Sequence, residues 1–129
     1  MKHKVLFIDT VHELLEQRLT NMGFDCVEGY SFSRAEVLKR INEYTGVVIR
    51  SRFKIDKEFI DAARQLKFIC RSGSGMENID LEYSNSKNIY CFNSPEGNRD
   101  AVGEHSIAML LCLFNNIIRS DREVRQGIW

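Results

Sequence analysis

An excess of charge of either sign is missing from this chain: 18 basic residues stand against 18 acidic ones, a formal net charge of +0. No overall field draws in nucleic acid or an acidic membrane surface, so any recognition by charge has to be local. The four cysteines (Cys26, Cys70, Cys91 and Cys112) include no Cys-x-x-Cys pair, and no metal site is expected. Three of them lie in apolar runs and read as buried free thiols of a reducing compartment. The amino terminus, Met-Lys-His-Lys-Val, enters an apolar stretch that Asp9 interrupts too soon for a signal peptide, which predicts a cytoplasmic protein. Proline occurs once, at Pro95, and there is no internal repeat or low-complexity stretch. What is present is 43% apolar content over 129 residues, enough for one soluble domain with a core.

Short apolar runs alternate with helical patterns. Val5 to Ile8, Phe24 to Val27, Val47 to Ile49, Phe68 to Cys70 and Ile89 to Phe92 read as five strands. Thr10 with Glu13 and Ser33 with Glu36 have the spacing of capping boxes, and Asp56 and Asp80 stand where helix caps are wanted. Leu14, Leu15, Leu19 and Met22 give the first helix one apolar face, and Gly23 suits a left-handed cap at its end. The third strand is too apolar to have a wet face. This alternation predicts an α/β fold: a doubly wound, five-stranded parallel sheet in the flavodoxin-like order 2-1-3-4-5. After Pro95 a long helix is expected from about Ala101 to Gln126. Its segment Ile107 to Phe114 is apolar on every side and needs cover from a second domain or another copy of the chain.

In such sheets ligands sit beyond the carboxyl ends of the strands. The loops after strands one, three and four should converge there, bringing Asp9-Thr10, Arg50-Ser51-Arg52 and Arg71 to Gly75 together. Gly73 and Gly75 bracket Ser74, so consecutive backbone amides can point at an anion with no Cβ in the way. Guanidinium groups suit a carboxylate or phosphate because their planar fork bonds it in two places, and Arg50 with Ser51 lies closest to its strand end. Lys54 reads as a solvated charge. The glycines supply only half of a dinucleotide fingerprint, since Asn78 holds the third position and no acid closes a following strand. Glu104 and His105 are adjacent on the long helix, about 100° apart, and cannot orient one another as a catalytic pair. His3 and His12 have no evident partners. A glycine-containing turn alone, without a ligand, is the bland reading of the loop.

The same sheet serves response-regulator receivers and flavin carriers, so a stand-alone anion-binding module of that kind is the alternative. A receiver wants an acidic phosphoacceptor ending strand three, where this chain has Arg50. A flavodoxin wants a Ser/Thr-rich phosphate loop after strand one, where it has Asp9-Thr10-Val11-His12.

Four ordered stretches resemble a known family, the NAD-dependent D-2-hydroxyacid dehydrogenases, and within it most closely the D-3-phosphoglycerate dehydrogenases. They are Val48 to Arg52, Arg71 to Asp80, Asn93 to Asn98 with Val102-Gly103-Glu104-His105, and Gly127-Ile128-Trp129. The resemblance implies that Ser72, Gly73, Ser74 and Gly75 hold a substrate carboxylate. It also implies that Ser74 faces the nicotinamide end of NAD and that Arg50 and Ser51 reach a distal phosphate. Residues 1–98 would be the substrate-binding domain and 99–129 the first helix of a cofactor domain, with the long helix forming a homodimer around a Gly97 hinge. The complete glycine fingerprint and the family's catalytic Arg, Glu and His would then lie beyond Trp129, leaving no catalytic residue here, as in a cut chain. Glu77, Arg99, Ala101 and Gly103 depart from the family's usual Asp, Thr, Ser and Ala.

Overall fold

The structure, a computed structural model, describes residues 3–128, so Trp129 of the third glycine-containing motif lies outside the described residues. The chain divides between Pro95 and Glu96 into two compact units. In the first, β1 (Lys4–Phe7), α1 (Glu13–Asn21), β2 (Asp25–Glu28), α2 (Arg34–Arg40), β3 (Gly46–Ile49), α3 (Lys57–Ala62), β4 (Phe68–Arg71), α4 (Leu81–Ser86) and β5 (Tyr90–Phe92) follow in order. All strand pairings are parallel and the order is β2-β1-β3-β4-β5, as the alternation of apolar runs predicts.

The period-two alternation of β1, β3 and β4 sends side chains to two unequal layers. Leu6, Val47, Ile49 and Ile69 face α2 and α3, where Val37, Ile41, Phe59, Ile60 and Ala63 complete the larger core. Val5, Phe7 and Val48 face the other way, onto Leu15 and Leu19 of α1. Cover on this second side thins toward the sheet edge, where Tyr90 and Phe92 of β5 are exposed. Close packing shows at Gly46: a Cβ there would come 2.1 Å from Cζ of Phe68, so the ring of β4 lies where a side chain of β3 would be.

Several local expectations need correction. Helix α1 is capped by His12, whose Nδ1 accepts from the amide of Leu14 at 3.2 Å, and not by Thr10. The helix starts two residues later than a Thr10 cap would require, so the hydroxyl is out of register. Leu14 and Met22 are exposed because α1 turns only Leu15 and Leu19 inward. His3 also has a partner, the hydroxyl of Thr45 at 3.2 Å. All four cysteines are free, and none is fully buried. The Ser33–Glu36 capping box and the Asp56 and Asp80 caps form as the sequence indicates, and Gly23 adopts φ +91°.

The second unit holds two helices in place of one, α5 (Glu96–Phe114) and α6 (Ile117–Arg125), bent by 58°. The break falls at Asn116, which takes the left-handed conformation (φ 50°, ψ 30°) that asparagine tolerates better than most residues. Gly97, expected as a hinge, is in the first turn of α5. Ile107, Leu110, Leu113, Phe114 and Ile118 are exposed, as an apolar segment without cover must be. Among the described residues no single helix is long and apolar enough to cross a membrane.

Candidate functional site

Parallel strands end on a common rim, and the loops leaving β1, β3 and β4 meet there through a set of hydrogen bonds. The carboxylate of Asp9 accepts from the amide of Arg50 at 2.6 Å and from that of Arg52 at 3.4 Å. The carbonyl of Arg50 in turn accepts from Nε of Arg71 at 3.1 Å and from Nδ2 of Asn78 at 3.2 Å. Asn78 also donates to the carbonyl of Phe53 at 3.2 Å, and a parallel bridge pairs Ile55 with Ile79. The loop after β3 is therefore fixed from both sides, by Asp9 of β1's loop and by Arg71 and Asn78 of β4's.

The glycine loop is held from behind. Ser72 donates its amide to the carbonyl of Ile49 at 2.8 Å, Ser94 donates to the carbonyl of Gly73 at 2.9 Å, and Nδ2 of Asn93 donates to that of Ser74 at 2.7 Å. Gly73 takes φ +156°, a backbone that other residues rarely adopt. The carbonyls of Gly73 and Ser74 are thus engaged, while the amides of Ser74 and Gly75 find no acceptor among the described backbone carbonyls. Two such amides beside an arginine are the kind of groups that can bond an anion.

The structure brings Arg50, Ser51, Ser72, Gly73, Ser74 and Gly75 to one rim, and it separates the roles of the arginines. Arg50 is exposed, and its guanidinium bonds none of the described residues. Arg52 is engaged in the fold: its guanidinium donates to the carbonyls of Ile8 at 3.0 Å, Phe32 at 2.9 Å and Tyr30, and it lies 5.1 Å from the ring centroid of Phe53. The side chain of Arg71 is 15% exposed and anchored on Arg50. Sequence reasoning missed Asp9, Asn78 and Asn93 as the groups that position the loops. The only signal in the sequence was their type, since Asx side chains bond nearby backbone, but which backbone depends on the sheet order.

Cys70 lies just before the loop, and burial pushes its thiol up to about 11, so it is not a nucleophile at neutral pH. Glu104 and His105 sit in α5, outside this unit. Among the described residues no group of three or more His, Cys, Asp or Glu is placed to hold a metal ion. Nor do these residues fit the pyrophosphate of a dinucleotide. Asn78, at the third fingerprint position, is committed to the loop after β3, and the helix that follows has its amino end capped by Asp80.

A five-stranded, all-parallel sheet in the order β2-β1-β3-β4-β5, with three loops locked together at its carboxyl rim, defines the fold class. The model of the D-isomer specific 2-hydroxyacid dehydrogenase catalytic domain matches residues 5–124, and the chain belongs to that family. Among its relatives is a D-3-phosphoglycerate dehydrogenase of Archaeoglobus fulgidus, 34% identical over 126 residues, which cover 98% of this chain and 24% of that protein. The D-3-phosphoglycerate dehydrogenase of Sus scrofa is 31% identical over the same share. This chain thus spans about a quarter of the length of these curated relatives. Among solved structures, the PH0520 protein of Pyrococcus horikoshii is similar with a TM-score of 0.90 and 26% identity over 100% of this chain and 38% of that one. The NAD+-bound 3-phosphoglycerate dehydrogenase of Entamoeba histolytica is similar with a TM-score of 0.66 and 31% identity over 87% of this chain and 39% of that one.

Proposed function

We propose that this chain is the substrate-binding part of an NAD-dependent oxidoreductase that takes a small anionic 2-hydroxy or 2-oxo acid. The acid is 3-phosphoglycerate, oxidised to 3-phosphohydroxypyruvate in serine biosynthesis. The observation that carries the reading is the pairing, on one rim, of the Ser74 and Gly75 amides with the Arg50 guanidinium, which bond no backbone carbonyl and no group, respectively, among the described residues. Two anion-accepting subsites, one of neutral N–H and O–H donors and one cationic, suit an acid with an anionic group at each end. The amides and Ser72 take the carboxylate; Arg50 and Ser51 take the phosphate, the guanidinium bonding it through two N–H groups. Ser74, exposed at the loop tip, faces the nicotinamide. The cofactor's main binding surface and the group that exchanges the alcohol proton belong to residues beyond this chain, with α5 the first helix of the cofactor domain. The protein works in the cytoplasm, as a homodimer.

The chain binds the substrate but does not turn it over, because hydride transfer needs a cofactor held against the substrate and a placed acid or base. Titration with 3-phosphoglycerate followed by calorimetry gives measurable binding that Arg50→Ala weakens about tenfold or more, the worth of a charged hydrogen bond. Mixing the chain with NADH and 3-phosphohydroxypyruvate leaves NADH absorbance flat. Turnover above a blank preparation, or binding indifferent to Arg50→Ala, overturns the reading.

A further inference from the structure

Two charged side chains of this chain lie across the glycine loop. Gly73 sits under the guanidinium of Arg71, where a Cβ would come 2.0 Å from Nη1. Gly75 sits under the carboxylate of Glu77, where a Cβ would come 2.0 Å from Oε2 and 2.9 Å from Oε1. The two side chains approach each other, with Nη2 of Arg71 3.9 Å from Oε1 of Glu77. They are not held equally. The Arg71 side chain is 15% exposed and fixed through Nε, whereas that of Glu77 is 76% exposed. At 3.9 Å the pair is a Coulombic contact without a hydrogen bond, in a setting where solvent screens it.

A loosely held carboxylate beside a fixed guanidinium, lying against a glycine, has the chemistry of a bound acid. We infer that Glu77 is a built-in competitor for anions at this loop: its carboxylate holds the place beside Arg71 and over Gly75 that a ligand's anionic group takes, and a ligand binds by displacing it. The inference rests on the reading of the loop as an anion site. Its physical content is a competition within the chain. A ligand that makes two charged bonds to Arg71 and the loop amides outcompetes the single loose contact of Glu77, while a weakly bonding anion does not. Glu77 therefore lowers by the same factor the affinity of every anion that must displace it, so that only anions bonding in two places still bind appreciably.

The test is a titration of the 129-residue chain with inorganic phosphate, followed through the Nε–H resonance of Arg71 by nitrogen-15 NMR. Glu77→Gln keeps the size of the side chain and removes its charge; Asp25→Asn removes the same charge from the exposed amino end of β2, on the opposite rim. Phosphate binds Glu77→Gln roughly two- to fivefold more tightly than the natural chain, the range of a surface ion pair, and binds Asp25→Asn unchanged. Equal or weaker binding to Glu77→Gln overturns the inference and leaves the anion site standing. Equal tightening in both variants also overturns it, because net charge would then be the cause. Absence of phosphate binding in all three overturns the anion site itself, and the inference with it.

Discussion

Two arginines two positions apart have opposite fates, and this decides what their removal does. Arg52 donates to the carbonyls of Ile8, Tyr30 and Phe32, closing the ends of β1 and β2 onto the loop after β3. Arg52→Ala leaves those carbonyls short of a donor and is expected to cost about 1–3 kcal/mol in urea unfolding. Arg50→Ala breaks no bond within the fold and should shift stability by less than about 0.5 kcal/mol. A second residue-scale effect concerns Cys70, whose thiol burial pushes from 9.0 up to about 11. The unfolded chain loses that proton first, so the stability it confers is present below pH 9.0 and is lost as pH rises through about 11. Thermal unfolding from pH 8 to 11 should show a steeper fall for the natural chain than for Cys70→Ala. Parallel curves would contradict this.

At the scale of the element, the helix caps show how a motif depends on where the helix begins. Ser33 and Glu36 form a reciprocal box, with the Ser33 amide donating to Glu36 at 2.8 Å and the Glu36 amide to the Ser33 hydroxyl at 3.3 Å. The Ser33 amide and the Ser33 hydroxyl, which donates to Oε2 of Glu36 at 2.7 Å, also hold the Glu36 carboxyl below its usual range. Thr10 and Glu13 have the same spacing and form no box, because α1 begins at Glu13 with His12 as its cap. Ser33→Ala should cost about 1 kcal/mol in thermal or urea unfolding, and Thr10→Ala close to nothing. Equal losses would place the α1 cap at Thr10 after all.

For the whole molecule the question is what covers the second unit. Ile107, Met109, Leu110, Leu111, Leu113, Phe114, Ile117 and Ile118 are all exposed. Burying a large apolar side chain is worth about 1.5–3 kcal/mol, so covering even part of this surface rivals the net stability of a domain. Such a patch exceeds what a monomer leaves uncovered, and a symmetric pairing of copies is the simplest cover. We therefore expect light scattering at micromolar concentration to give a mass near twice the chain's 15.0 kDa, through contacts of α5 and α6. Exchange of these helices between copies would pivot at Pro95, since Asn93 and Ser94 are bonded to the glycine loop and Gly97 is helical. A species of 15.0 kDa at every concentration would show that the helices find their cover within one chain.

The sequence by itself determined the sheet. Short β-rich runs separated by capped helical segments leave parallel pairing as the only connection, and the right-handed crossover rule then limits the order. It also singled out Arg50 and the Ser72 to Gly75 loop as candidates, because guanidinium groups and unhindered amides at strand ends suit an anion. Tertiary structure alone decided which arginine is engaged, since Arg52 finds its carbonyls just after β1 and on the loop after β2, 20 to 44 positions away. It decided that Asp9, Asn78 and Asn93 lock the rim, and that Glu77 lies over Gly75 beside Arg71. It also decided the break at Asn116, because a left-handed residue inside an otherwise helical pattern leaves no periodic trace. Local pattern fixes which residues can share a face; which distant backbone groups meet a side chain depends on loop paths that are set only when the strands pack side by side.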